Sequence, residues 1–205
     1  MLKTVGGAVL DLFLPPTCAV CGAVADGLCL PCATSLPAAP DRTPPPGVDH
    51  AAALAAHAGG ARQMVAALKY HQHRDALVVL GPALAALASS FPGDGPDVVV
   101  WAATTAARRR RRGADQAQLL AAEVARWLDR PCAGLLVRQA GAAQSGRGRA
   151  ERLDGPVYAV RGGAPPHVLV VDDVWTTGAT LMAAAAALRT AGAVRVDAVT
   201  LTVRP

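Results

Sequence analysis

The chain has 205 residues, 52% of them hydrophobic, which excludes a mostly disordered chain and allows one medium domain with a small appendage. The net charge is +5, and all but Lys3 and Lys69 of the 20 basic residues are arginine. That excess permits phosphate-bearing partners without requiring them.

In chain order, residues 1–16 read as a short helix, because Asp11 cuts the apolar stretch and no small-residue cleavage site follows. A cytoplasmic location is expected on that ground. Residues 1–36 then form a cysteine-rich module too small for a core of its own. Residues 37–49 stack prolines with turn formers and read as a linker, and 50–205 form the main domain. Within it, helices are predicted at 61–70, 76–89, 115–128 and 180–191, and strands at 97–101, 134–137, 168–171 and 194–202. The uncharged run 76–93 is broken by Gly81-Pro82 and closed by Ser89, Ser90 and Pro92, which favours a helix packed on a sheet over a membrane span. Strands alternating with helices predict an α/β fold with a parallel sheet flanked by helices.

Four cysteines form Cys18-x-x-Cys21 and Cys29-x-x-Cys32. Two such knuckles can surround one zinc ion with four thiolates, a closed site that holds structure and does no chemistry. Two disulfides, a redox Cys-Leu-Pro-Cys site and accidental burial are the alternatives. Disulfides fit poorly without an export signal, and a thioredoxin-type motif should open a helix after a strand, which the module lacks as read. Cys132 reads as a small buried hydrophobe.

The stretch 168–180, VLVVDDVWTTGAT, carries the chemistry. An apolar strand ends in Asp172 and Asp173, and a Thr- and Gly-rich turn opens an Ala-rich helix. Ligands of open parallel sheets bind at the carboxyl ends of the strands. There, Thr176, Thr177, Gly178 and Thr180 can wrap a phosphate with hydroxyls and free N–H groups, Gly178 letting the backbone come close. The carboxylates can hold sugar hydroxyls or a magnesium ion; the bland alternative is that they only cap a strand. No Walker A or Rossmann glycine pattern is present. The run 108–112 is five arginines, a solvated face or an anion site. His71 and His73 have the wrong spacing for one helical face and read as solvated.

The strand, Asp-Asp and Thr-Thr-Gly-x-Thr pattern resembles the phosphoribosyl pyrophosphate motif of type I phosphoribosyltransferases. With the four cysteines it is similar to the ComF family of competence-associated proteins. Leu68-Lys69-Tyr70, Arg111-Arg112-Gly113-Ala114-Asp115-Gln116 and the 138–153 stretch, from Arg138-Gln139 to Arg152-Leu153, match further family segments. Ala114-Asp115 stands where Phe-Asn is usual, and Trp101-Ala102-Ala103-Thr104 where a Pro-Val-Pro turn is usual.

The resemblance implies a type I phosphoribosyltransferase-like sheet with an N-terminal zinc module, and phosphoribosyl pyrophosphate bound with magnesium. It assigns Asp172, Asp173, Arg111 and Arg112 to catalysis. Thr176, Thr177, Gly178, Ala179, Thr180, Lys69 and Gln116 are assigned to substrate, and Cys18, Cys21, Cys29 and Cys32 to zinc. It extends equally to a non-enzymatic DNA-uptake role, with single-stranded DNA or competence-machinery proteins as partners.

Overall fold

Four strands build the central sheet, and three of them follow from their side chains. β2 (Val98–Trp101), β5 (His167–Trp175) and β6 (Arg195–Val203) are rich in valine, whose branched side chain suits a pleated surface. β1 (His50–Ala56) was not expected. Its sequence is five alanines, a histidine and a leucine, with no β-branched residue, and it is a strand because it pairs along β6 from His50–Asp197 to Ala56–Val203. All four strands are parallel in the order β1-β6-β5-β2. The computed structural model describes residues 15–70, 75–104, 115–139 and 155–205. Outside them lie residues 1–14 of the N-terminal helix expected at 1–16, His71, His73, Arg111, Arg112 with the rest of the arginine run, and most of the 138–153 stretch.

Successive residues of the central strands point to opposite faces of the sheet. Val99, Leu169 and Val171 pack against α2 (Gly59–Tyr70), α3 (Asp75–Ser89) and α4 (Gln116–Leu128). Val98, Val100, Val168 and Val170 pack on the other face against α5 (Ala179–Thr190), through Leu181, Ala184 and Leu188. Each leucine or valine fully buried there stabilises the fold by about 1.5–3 kcal/mol over its exposed state. The apolar run expected to be a packed helix is α3, which continues through Pro82. Among the described residues no helix is long and apolar enough to cross a membrane.

Three expectations change. The strand predicted at 134–137 is not in the parallel sheet: β3 (Leu136–Arg138) pairs antiparallel with β4 (Tyr158–Val160) in a separate two-stranded sheet. Cys132 is exposed, because its segment lies along the edge of β2, where Val99 donates to Pro131 O and Ala133 donates to Val99 O. β5 does not end at the carboxylates. It runs on to Trp175 because β6 keeps pairing with it, as Val174–Thr202 and Trp175–Val203.

The cysteine module packs directly on the main body. Ala19 is part of the core formed with α2 and α3, and Val20, Leu28 and Leu36 pack against it. Gly27, at φ +80, lies so close to α3 that a Cβ there would be 2.4 Å from the Ala76 nitrogen. Cys29 caps a five-residue helix, α1 (Leu30–Thr34), so the second Cys-x-x-Cys does open a helix. Among the described residues, a turn closed by a Thr17–Val24 bridge, and no long strand, precedes it. Residues 37–49 contain no helix or strand, yet Pro45 and Val48 are buried and Pro37 O accepts the Ala56 N–H at 2.9 Å.

Candidate functional site

The site arises where two neighbouring strands end at different heights. β2 stops at Trp101, with one further hydrogen bond from the Ala102 N–H to Val171 O at 3.0 Å. β5 continues, so Asp172 and Asp173 have a strand on one side and open space on the other. A cavity of about 220 Å³ fills that space, walled by Ala102–Thr104, the start of α4, Arg138, Tyr158, Thr176, Thr180 and Lys69.

The strand alternation separates the two carboxylates. Asp173 follows Leu169 and Val171 to the α2 face, where Lys69, in the last turn of α2, places Nζ 2.7 Å from Oδ2. Both groups are about four-fifths shielded, 20% and 22% exposed, so this pair is screened less than a surface bridge. Asp172 points toward Tyr158 and accepts the Asp173 N–H at 2.9 Å. Loss of water and then the charge of Asp173 push the Asp172 carboxyl well above the usual range; the Asp173 N–H and then Lys69 only partly offset them. Asp115, buried at the start of α4, takes the Thr104 N–H at 3.0 Å, and burial pushes its carboxyl up as well. The Tyr158 hydroxyl donates to Ala103 O at 3.2 Å, and its pKa is pushed up to about 12 by burial and then by Asp172. Three carboxyls thus share the cavity with two cations, Lys69 and Arg138. Such a set accepts an added cation readily, because the cation lowers the cost of ionising them together.

The threonine turn follows β5 and opens α5. Gly178 stands at the N-cap with φ +85, a conformation other residues adopt only with strain. A Cβ at this position would meet Pro45 Cγ at 2.8 Å and Trp175 Nε1 at 3.2 Å, so the side-chain direction is filled by protein. Thr177 Oγ1 accepts the Ala179 N–H at 3.3 Å.

Of the residues singled out from the sequence, Lys69, Gln116, Asp172, Asp173, Thr176 and Thr180 line one cavity. Thr177, Gly178 and Ala179 lie on the turn beside it and outside its walls. Thr104, Asp115 and Tyr158 were not anticipated as cavity residues. Tyr158 had one weak signal, being one of two tyrosines in the chain. A larger groove of about 550 Å³ between β4 and α5 is lined mainly by alanine and valine, with Tyr158 and Thr190 supplying its hydroxyls and no charged residue among the described lining.

The Sγ atoms of Cys18, Cys21, Cys29 and Cys32 all lie within 4.8 Å of one another. A tetrahedral zinc site with Zn–S of about 2.3 Å has S–S edges of about 3.8 Å. Cys21 and Cys29 are 3.8 Å apart. Burial alone would raise the Cys18 thiol, but backbone N–H groups, those of Val20 and Cys29 at 3.5 Å among them, outweigh it and hold the value at about 6. Cys32 is pushed up to about 12, first by its hydrogen bond with Cys29 and then by burial. Four thiols this close cannot all ionise unaided, so the donor set fits a thiophilic divalent metal.

No protein-family model matches the chain, and no curated protein matches it in sequence. Among solved structures, it is similar to the purine phosphoribosyltransferase from Pyrococcus horikoshii Ot3, with a TM-score of 0.41 and 20% identity over 64% of this chain and 74% of that one.

Proposed function

We propose that this chain is a ComF-like phosphoribosyltransferase-family protein that binds phosphoribosyl pyrophosphate with magnesium and transfers the 5-phosphoribosyl group to an acceptor. What carries the reading is the meeting of Asp172, Asp173, Thr176 and Thr180 around one cavity at the carboxyl edge of a parallel sheet, where a helix begins. The turn holds the 5-phosphate. Asp172 and Asp173 hold the ribose hydroxyls and favour the positive charge that builds at the anomeric carbon as its bond to pyrophosphate breaks. The bonding electrons depart with pyrophosphate, and a lone pair of the acceptor forms the new bond. Lys69 keeps Asp173 oriented toward the cavity, and Gln116 contributes a polar wall. Arg111 and Arg112 help pyrophosphate leave. Magnesium, when bound, neutralises charge on the pyrophosphate, with Asp172 and Asp173 as its protein partners, directly or through water. Zinc in the four-cysteine module holds structure only.

Calorimetry with phosphoribosyl pyrophosphate and magnesium, followed by pyrophosphate release across a panel of bases, tests the reading. Magnesium-dependent binding with release for one class of base supports it. A protein that releases no pyrophosphate with any base, yet binds single-stranded DNA with a steep salt slope, is a DNA-uptake module instead. Metal analysis should find about one zinc per chain, lost in Cys18→Ser; less than about a tenth of an equivalent refutes the zinc assignment.

A further inference from the structure

We infer that residues 37–49 act as a strap that sets the shape of the threonine turn, with Arg42 and Pro45 as positioning residues for phosphate binding. The inference rests on the proposed role of that turn. Arg42 Nη1 donates to the carbonyl oxygen of Thr176, and to that of Arg204 at 3.1 Å. Its guanidinium lies over the Trp175 ring, 5.0 Å from the centroid. Pro45 is buried and fills the space beside Gly178 that a side chain would need. Trp175 is 3% exposed, and its indole N–H has no hydrogen-bond partner among the described residues. A buried donor without a partner is uncommon, and here the ring packs under the Arg42 guanidinium and beside Gly178.

Arg42, Trp175, Pro45 and Gly178 therefore form one stack behind the turn. Neither Arg42 nor Pro45 lines the cavity. Their effect is to hold Thr176 and Gly178 in one arrangement before ligand arrives. A turn ordered in advance loses less freedom on binding than one the ligand must order. Arginine suits the task because its planar fork reaches two carbonyls while its face covers an aromatic ring. Lysine retains the charge without that geometry.

Ribose 5-phosphate is the probe, since it carries the phosphate without the pyrophosphate. Calorimetry should show about tenfold weaker binding in Arg42→Ala, the usual scale for losing charged hydrogen bonds. Arg42→Lys should recover only part of it. Wild-type affinity in Arg42→Ala overturns the inference. So does full recovery in Arg42→Lys, which would make charge and not geometry the cause. Nitrogen-proton NMR of the unliganded protein supplies the second measurement. The Trp175 indole signal and the amides of Thr176 to Gly178 should shift in Arg42→Ala while the amides at the starts of β1 and β6, around His50 and Arg195, stay. If the wild type does not bind ribose 5-phosphate, the phosphate assignment of the turn fails, and the NMR comparison alone judges the strap: shifted signals uphold it and unchanged signals overturn it. Should Arg42→Ala not fold, Pro45→Ala takes its place in both measurements. It opens the space beside Gly178 without removing a charge.

Discussion

Asp172 on β5 and Asp197 on β6 are carboxylates of adjacent strands near opposite ends of one sheet, and their surroundings treat them oppositely. Asp197, 2% exposed, is saturated: Arg195 reaches it at 2.7 Å, His50 at 3.0 Å and His167 at 2.9 Å. Burial alone would raise its carboxyl, but the bonds from Arg195, His50 and His167 outweigh that and hold it below the usual range. Asp172 receives one backbone N–H, has a second carboxylate as its neighbour and is pushed upward. The saturated carboxylate ties three strands together, since His50, His167 and Arg195 open β1, β5 and β6. The undersupplied one faces a cavity with capacity to spare for a ligand.

The sharpest way to break this contrast is Asp197→Asn. It should lower stability by about 2–3 kcal/mol, because Arg195 and two histidines lose their shared acceptor. Denaturant unfolding measures it. The pH dependence has a definite sign. A lowered carboxyl contributes stability in full above its ordinary value of 3.8, and that contribution is lost as pH falls further. The wild type should thus lose its advantage over Asp197→Asn in strong acid, and an advantage that persists there would show that the ion cluster is not its source.

Asp172→Asn should do the reverse at neutral pH. A raised carboxyl favours the native state below its ordinary value of 3.8, and that benefit is lost as pH rises through the elevated value. Removing the charge should therefore raise the thermal midpoint by a few degrees near neutrality while any phosphoribosyl turnover falls. An unchanged or lowered midpoint would place Asp172 among the satisfied carboxylates.

Lys69→Met is the smallest and most selective test. Losing a largely shielded pair should cost about 0.5–1 kcal/mol. It should also push the Asp172 carboxyl higher still, because Lys69 is a cation that lowers it. Carbon NMR titration of the aspartates reads this directly; an unmoved Asp172 would mean that Lys69 serves Asp173 alone.

The contrast was half legible in the sequence. Asp172 and Asp173 stand out because a valine run, two acids and a threonine-rich turn occur together, and each part has its own physical reason. Asp197 carries the same kind of signal, a lone acid among apolar strand residues, yet its partners come from three strands and only the fold assembles them. β1 escaped notice because alanine favours helix, and β6 decided the matter by pairing with it. β5 was cut short because carboxylates look like a strand end when the neighbouring strand is unknown. Arg42 sits among prolines whose composition suggests a spacer, and composition is blind to what a spacer lies against. Tyr158 belongs to a three-residue strand, too short to show a period.

The near contact between Gly27 and Ala76 has a thermodynamic corollary. If closing the cysteine cluster and seating Ala19 and Val20 on α2 and α3 are coupled, metal binding and docking strengthen each other by the same amount. A peptide of residues 15–36 should then bind zinc more weakly than the whole chain does, and the ratio of the two affinities measures how much stability the metal lends to the sheet domain. Metal competition with a chromophoric chelator gives both constants, and equal values would mean that the module merely rests on its neighbour.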